Sequence, residues 1–124
     1  MKILVAEDDS TMRRIIELRL KKDGHNVTMA ADGREAMKYI EDGESFDLII
    51  TDIMMPFSSG LEIVSKIKCN PKKKIPVIVL SAMGQENIVL EAFNLGADDY
   101  ITKPFSPNEL SMRVKRLASG IFMS

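Results

Sequence analysis

The fold is decided by the stretch Leu48-Ile49-Ile50-Thr51-Asp52-Ile53-Met54-Met55-Pro56. It is an apolar run that reaches a carboxylate at Asp52 and meets a proline four residues later. A short apolar run of this kind is typical of a strand that is buried on both faces of a parallel sheet. Ligands of open parallel α/β sheets bind beyond the carboxyl ends of the strands. The stretch therefore predicts a central strand with Asp52 at the edge where a ligand would bind.

Charged residues also follow two other strand-like runs. The first run, residues 2–6, continues to Asp8, and the last run, residues 100–102, continues to Lys103. Because the carboxyl ends of parallel strands meet at one edge, we expect Asp8, Asp52 and Lys103 to lie together. A single aspartate at a strand end would mean little, but the shared position of three charged groups makes this edge the candidate site.

Strand-like runs alternate with helix-like stretches five times, which predicts a three-layer α/β sandwich with a parallel sheet. Two pairs have the spacing of a capping box at a helix start, Asp32 with Glu35 and Ser106 with Glu109. The fourth helix, about residues 85–95, is expected to turn inward a stripe formed by Ile88, Ala92 and Leu95. The length fits one domain, over residues 1–119, with residues 120–124 as a tail or the start of a linker.

The composition is that of an ordinary soluble protein. Hydrophobic residues make up 45% of the chain, charged residues make up 28%, and the net charge is −1. Such a balance creates no general attraction to nucleic acid or to an anionic membrane. Cys69 is the only cysteine, which excludes an internal disulfide and favours a reducing, cytoplasmic location. No apolar run approaches the ~20 residues that span a bilayer.

The acidic residues at the predicted edge have two interpretations. Glu7, Asp8 and Asp52 would repel one another unless a cation lies between them, and carboxylate oxygens are ligands that suit Mg²⁺. A metal there could hold a phosphoryl group beside Asp52, with Lys103 balancing its charge and the Ser81 hydroxyl bonding an oxygen. In the alternative interpretation, the acids that follow the first strand only cap the next helix.

Four segments together resemble the receiver domains of bacterial response regulators, the phosphorylated partners of two-component signalling. The resemblance extends from residue 3 to about residue 117 and implies a CheY-like, flavodoxin-like fold. Its parallel sheet would have five strands in the order 2-1-3-4-5, with helices on both faces. The segments are ILVAEDD (3–9), DLIITDIMMP (47–56), PVIVLSA (76–82) and GADDYITKPF (96–105).

The resemblance implies a role for each residue of the edge. Asp52 would accept a phosphoryl group from a sensor histidine kinase or a phosphotransfer protein, and the chain would act on no other substrate. Mg²⁺ or Mn²⁺ would be bound by Asp8, by Asp52 and by the main-chain carbonyl of Met54, with Glu7 binding through water. Lys103 would contact the phosphoryl group, and its bond to the following proline would be cis.

The resemblance also implies a switch and an output surface. On phosphorylation Ser81 would move toward the phosphoryl oxygens and the Tyr100 ring would turn inward. As in receivers of winged-helix transcription regulators, the fourth helix, fifth strand and fifth helix would form a homodimer or partner face. Candidate residues of this face are Leu90, Phe93, Asp98, Asp99, Glu109 and Arg113.

Four positions near the candidate site depart from the pattern of the receivers that the chain resembles. Met54 and Met83 stand where related proteins use polar or acidic side chains to guide an attacking water, so we expect a comparatively long-lived phosphoryl group. Phe57 and Ser59 stand where relatives often have Gly and Asp, which would alter the flexibility of the loop after Asp52.

Two other functions compete with a signalling switch. A Mg²⁺-dependent phosphohydrolase of the haloacid-dehalogenase type would want a second acid where Met54 stands. A flavin-binding electron carrier would want a phosphate-binding loop after the first strand, where Glu7, Asp8 and Asp9 would repel a phosphate. If the chain is whole, its output is the binding of a partner protein. If it is a fragment, the resemblance suggests a DNA-binding domain beyond it, and this chain itself is not expected to bind nucleic acid.

Overall fold

A computed structural model describes residues 1–57, 59–70 and 74–119. Strands and helices alternate along the whole of this part of the chain. The predicted tail, residues 120–124, lies outside the described residues. The elements are β1 (Lys2–Ala6), α1 (Ser10–Lys22), β2 (Asn26–Ala30), α2 (Gly33–Glu41), β3 (Leu48–Asp52), α3 (Gly60–Lys68), β4 (Val77–Ser81), α4 (Glu86–Asn94), β5 (Asp99–Thr102) and α5 (Pro107–Ser119).

The strands form one sheet in the order β2-β1-β3-β4-β5, and all four pairings are parallel. The predicted fold and strand order are therefore confirmed. Every residue of β3 and of β4 is buried, as a strand covered on both faces requires. Ala6 of β1 pairs with Thr51 of β3, so the two strands end side by side and the residues that follow them share one edge.

The core has two layers because successive strand residues point to opposite faces of the sheet. Leu4 and Ile49 belong to the layer under α2, α3 and α4, whereas Ile3 and Ile50 belong to the layer under α1 and α5. The inward side of α5 is apolar, and three of its residues are buried in the second layer: Leu110, Val114 and Leu117.

The helix starts confirm part of the predicted capping. The side chains of Asp32 and Ser106 accept hydrogen bonds from the main-chain N–H groups of Glu35 and Glu109, as an N-cap does. The reciprocal box, with both bonds present, occurs instead at α3, between Ser59 and Glu62. The Glu109 carboxylate is used differently and lies 3.8 Å from Arg113.

The inward stripe predicted for α4 is partly wrong. Val89 and Ala92 are buried, Ile88 is half-buried, and Leu95 is exposed. The helix ends at Asn94, so Leu95 is its C-cap, and Gly96 follows in a left-handed conformation with φ of 113°. The chain therefore turns away before Leu95 can continue the stripe. Val89 packs in the core.

No helix among the described residues is both long enough and apolar enough to cross a membrane.

Candidate functional site

Asp52 is the last residue of β3, and its side chain is almost fully buried. Its Oδ2 atom accepts a hydrogen bond from Lys103 Nζ at 2.7 Å, and its Oδ1 atom lies 3.5 Å from the main-chain nitrogen of Met54. The next helix begins very close to this strand end. A Cβ atom added to Gly60 would lie 2.4 Å from the carbonyl oxygen of Asp52, so only glycine allows α3 to start there.

Glu7 and Asp8 follow β1, and their carboxylates point to the same edge as Asp52. One carboxylate oxygen from each of the three lies within 4.8 Å of the others. Glu7 is fully buried, and its Oε2 atom accepts a hydrogen bond from the main-chain nitrogen of Asp9 at 3.0 Å. Asp8 is exposed. The parallel pairing of β1 with β3 thus brings the three predicted acids together.

Lys103 follows β5 and reaches across to both buried acids. Its main-chain nitrogen donates a hydrogen bond to the carbonyl of Ser81 at 2.7 Å, and its bond to Pro104 is cis, as predicted. Its Nζ lies 2.7 Å from Asp52 Oδ2 and 2.7 Å from Glu7 Oε1. The ammonium group of Lys103 therefore forms ion pairs with two buried carboxylates.

The charges of this cluster are unbalanced. Burial raises the pKa of Glu7 from 4.5 to about 7; Lys103 and the Asp9 amide oppose this rise, and repulsion from Asp52 adds to it. Burial alone would lower the pKa of Lys103, but its close contacts with the carboxylates of Asp52 and Glu7 outweigh burial and raise the pKa. Three carboxylates and one ammonium leave a surplus of negative charge.

A divalent cation fits this surplus. Glu7 Oε1 is buried and accepts no hydrogen bond among the described residues, although it forms an ion pair with Lys103 Nζ 2.7 Å away. A buried carboxylate oxygen without a partner is costly, and a metal or its bound water would satisfy it. Carboxylate oxygens are the ligands that Mg²⁺ prefers, so Glu7, Asp8 and Asp52 suit that ion.

The predicted switch residues lie next to the cluster. Ser81 ends β4 and is buried, and Tyr100 on β5 is exposed. The Tyr100 ring meets Phe93 edge to face, with ring centroids 5.8 Å apart and an interplanar angle of 88°. A cavity of about 380 Å³ lies between α4 and β5, and its lining includes Ser81, Leu90 and both rings.

The charged residues of the predicted output face separate into two groups. Asp99 is buried and binds Arg113 at 2.9 Å and Arg116 at 2.8 Å, both on α5. Asp98 does not join them, which corrects the sequence analysis. Its carboxylate lies 2.8 Å from Lys68 Nζ on α3 and accepts a hydrogen bond from the Val77 main chain, because adjacent residues at the start of a strand point to opposite faces.

Two contacts at the edge were not found from the sequence. The Arg13 guanidinium donates hydrogen bonds to the carbonyl oxygens of Glu7, at 3.0 Å, and of Asp8, at 3.4 Å. The Arg34 guanidinium stacks 3.7 Å from the ring centroid of Phe57, a residue in the left-handed region with φ of 72°. The contact of Arg13 with these carbonyl oxygens could have been predicted from the sequence, because Arg13 lies on the first turn of α1, directly after the acids.

Comparisons with known proteins agree with this geometry. The profile described as "Response regulator receiver domain" matches residues 3–115. The chain is 41% identical over 117 residues to the transcriptional regulatory protein ResD of Bacillus subtilis, covering 94% of this chain and 47% of ResD. It is 44% identical over 117 residues to response regulator RR06 of Streptococcus pneumoniae, covering 94% of this chain and 52% of RR06. The chain spans about half the length of these curated relatives.

Solved structures give the same result. The receiver domain of the Francisella response regulator 1452 superposes with a TM-score of 0.83 at 37% identity, covering 94% of each chain. The chemotaxis response regulator CheY4 of Vibrio cholerae superposes with a TM-score of 0.83 at 31% identity, covering 94% of this chain and 97% of that one. Since the family profile, the curated relatives and the solved structures all agree, this chain belongs to the response regulator receiver domain family of two-component signal transduction.

Proposed function

We propose that this receiver is switched by transfer of a phosphoryl group from a phosphohistidine of a sensor kinase, or of a phosphotransfer protein, to Asp52. A carboxylate oxygen of Asp52 attacks phosphorus, the P–N bond to the donor histidine breaks, and an acyl phosphate forms. The observation that carries this proposal is the position of the Asp52 carboxylate, at the end of β3 with Lys103 Nζ 2.7 Å away.

The other residues of the cluster have separate tasks in this proposal. Lys103 binds an oxygen of the transferred group and stabilises the charge that develops on it. Glu7, Asp8, Asp52 and the Met54 carbonyl would hold Mg²⁺, Glu7 through a water molecule. When bound, the ion neutralises phosphoryl charge and aligns the group with the attacking carboxylate. The chain catalyses its own phosphorylation and the hydrolysis of the resulting aspartyl phosphate, and no other reaction.

Phosphorylation is proposed to change the surface at α4, β5 and α5. The Ser81 hydroxyl, buried at the end of β4, turns toward the phosphoryl oxygens, and the exposed Tyr100 ring enters the cavity of about 380 Å³ beside it. This movement shifts a two-state equilibrium, since the phosphoryl group interacts differently with the two positions of Ser81.

The altered surface binds either a second copy of the chain or a partner or effector domain. Leu90 and Phe93 are exposed on α4, and Glu109 and Arg113 lie across from them on α5. Sedimentation of the phosphorylated chain over a range of concentrations tests the homodimer. We expect a dimer that Leu90→Glu abolishes and that Leu18→Glu, an exposed leucine on α1, leaves intact. A phosphorylated chain that stays monomeric throughout would rule out the homodimer.

Intact mass after incubation with acetyl phosphate tests the central proposal. With Mg²⁺ we expect the gain of one phosphoryl group, and in a chelator we expect none. The gain should be absent in Asp52→Ala and retained in Asp42→Ala, a matched change at an exposed aspartate. An adduct that survives Asp52→Ala would show that the phosphoacceptor has been misassigned.

A further inference from the structure

Two exposed methionines lie on the loops that follow β3 and β4, the strands that end at Asp52 and Ser81. Met54 is two residues beyond it on the loop after β3, and its side chain is 53% exposed. Met83 is two residues beyond Ser81 on the loop after β4, and its side chain is 78% exposed. Met83 lines one cavity with Ser81 and a second, of about 350 Å³, with Lys103. Each of the two loops at this edge of the sheet therefore carries an exposed thioether.

This exposure is unusual among the methionines of the described residues. Met55, the next residue along the chain from Met54, is half-buried and packs against the core. Of the others, only Met112 is also exposed, at 66%, and it lies on α5 beside the groove formed with α1. Met112 matches the other two in exposure but borders neither Asp52 nor Lys103. Met112 is therefore a control for the oxidation of an exposed methionine away from the candidate site.

We infer that Met54 and Met83 form a modification site for hydroperoxides, at which oxidation shortens the life of the phosphoryl group on Asp52. The thioether sulfur attacks the distal oxygen of the hydroperoxide, an S–O bond forms and the O–O bond breaks. The sulfur loses two electrons and becomes a sulfoxide. The proton of the transferred oxygen passes to the remaining oxygen of the hydroperoxide, which is reduced and leaves as water or an alcohol.

The shorter life of the phosphoryl group follows from the polarity of methionine sulfoxide, and this step rests on the proposed function. A thioether is a weak hydrogen-bond acceptor, so Met54 and Met83 offer little to orient a water molecule near Asp52. A sulfoxide is polar and has an oxygen that accepts hydrogen bonds strongly. Water held beside the acyl phosphate is placed to attack phosphorus, so hydrolysis becomes faster. Oxidant and kinase signals would then act on the same carboxylate in opposite directions.

The test follows the decay of phosphorylated protein by intact mass, before and after treatment with hydrogen peroxide. All variants carry Cys69→Ser, because this exposed thiol would also react. Peptide mapping should show oxidation of Met54, Met83 and Met112 before the half-buried methionines. After oxidation the lifetime should fall several-fold in the reference protein and in Met112→Leu, and reduction by methionine sulfoxide reductases should restore it.

Substitutions separate the site from general oxidative damage. In the double variant Met54→Leu/Met83→Leu, peroxide should leave the lifetime unchanged. In the double variant Met54→Gln/Met83→Gln, which places amide oxygens near the sulfoxide positions, the lifetime should be short without any oxidant. An unchanged lifetime in the fully oxidised reference protein, or a response that persists in the leucine variant, would overturn the inference. Failure of the unoxidised protein to form the Asp52 adduct would instead overturn the proposed function.

Discussion

Two clusters of charged side chains differ in how their charges are balanced. The edge cluster (Glu7, Asp8, Asp52 and Lys103) places three carboxylates around one ammonium. The α5 cluster (Asp99, Arg113 and Arg116) places one buried carboxylate between two guanidinium groups, and the Glu109 carboxylate lies 3.8 Å from Arg113. Both use buried acids on or directly after strands of the same sheet, and both have ion-pair distances below 3 Å.

The difference lies in what remains unsatisfied. In the α5 cluster two carboxylates, Asp99 and Glu109, face two arginines, and the arginine side chains are 36% and 46% exposed, so water also solvates them. In the edge cluster the surplus is negative and partly buried, and Glu7 Oε1 has no hydrogen-bond partner among the described residues. The comparison indicates that the charges of the α5 cluster are balanced within the protein, whereas the edge cluster keeps a negative surplus that a bound cation would balance.

The largest effect is expected from Lys103→Met. The substitution removes the only ammonium of the edge cluster, which we propose stabilises charge on the transferring phosphoryl group. The rate of phosphorylation by acetyl phosphate should therefore fall about 10²- to 10³-fold. Intact mass against time measures this rate at saturating Mg²⁺. Lys115→Met, a matched change on α5, should be neutral. A fall of less than tenfold would contradict the role given to Lys103.

A second effect concerns stability without metal. Since the folded pKa of Glu7 is raised from 4.5 to about 7, the folded state binds more protons than the unfolded state between these values. In a chelator, this group should therefore lower the free energy of unfolding as the pH rises through that window, by at most about 3 kcal/mol. Glu7→Gln should remove this part of the pH dependence, and Glu86→Gln, at an exposed position, should retain it.

Urea denaturation at several pH values measures the effect. If the free energy of unfolding depends on pH in the same way in the wild type and in Glu7→Gln, Glu7 is not the group that causes this pH dependence. Addition of Mg²⁺ should stabilise the wild type more than Glu7→Gln, because the ion binds the folded state and loses one of its proposed ligands in the variant.

The smallest effect is expected from Asp99→Asn in the α5 cluster. The two arginines can turn to solvent once the carboxylate is neutral, so we expect a loss of only about 1–2 kcal/mol in the free energy of unfolding. The rate of phosphorylation of Asp52 should not change. A loss near that of a broken buried ion pair, about 3–5 kcal/mol, would show that the α5 cluster is not solvated as described.

Much of the fold was predictable because its signals are local. The apolar run ending at Asp52 and the acids after β1 needed only the rule that parallel strands end at one edge. The predicted pairing of Asp52 with Lys103, 51 residues apart, followed from the same rule and is confirmed at 2.7 Å.

The errors occurred where an element ends or where neighbouring residues diverge. Leu95 continued the spacing of α4, but the helix ends one residue before it. Asp98 and Asp99 were assigned to one face, yet the first binds Lys68 and the second binds α5. The complete capping box at Ser59 and Glu62 has the right sequence spacing but was not predicted. These outcomes depend on the direction of single side chains, which periodicity does not specify.

The sequence by itself determined the order of the elements, the buried central strand and the group of charged residues at one edge. It did so because hydrophobic periodicity and strand ends are local properties of the chain. Only the tertiary structure decided how those charges balance: that Lys103 lies between Glu7 and Asp52, that Glu7 is fully buried, and that Met54 and Met83 stay exposed beside them. The physical reason is that burial and charge compensation depend on distances between residues far apart in the chain, and packing alone sets those distances.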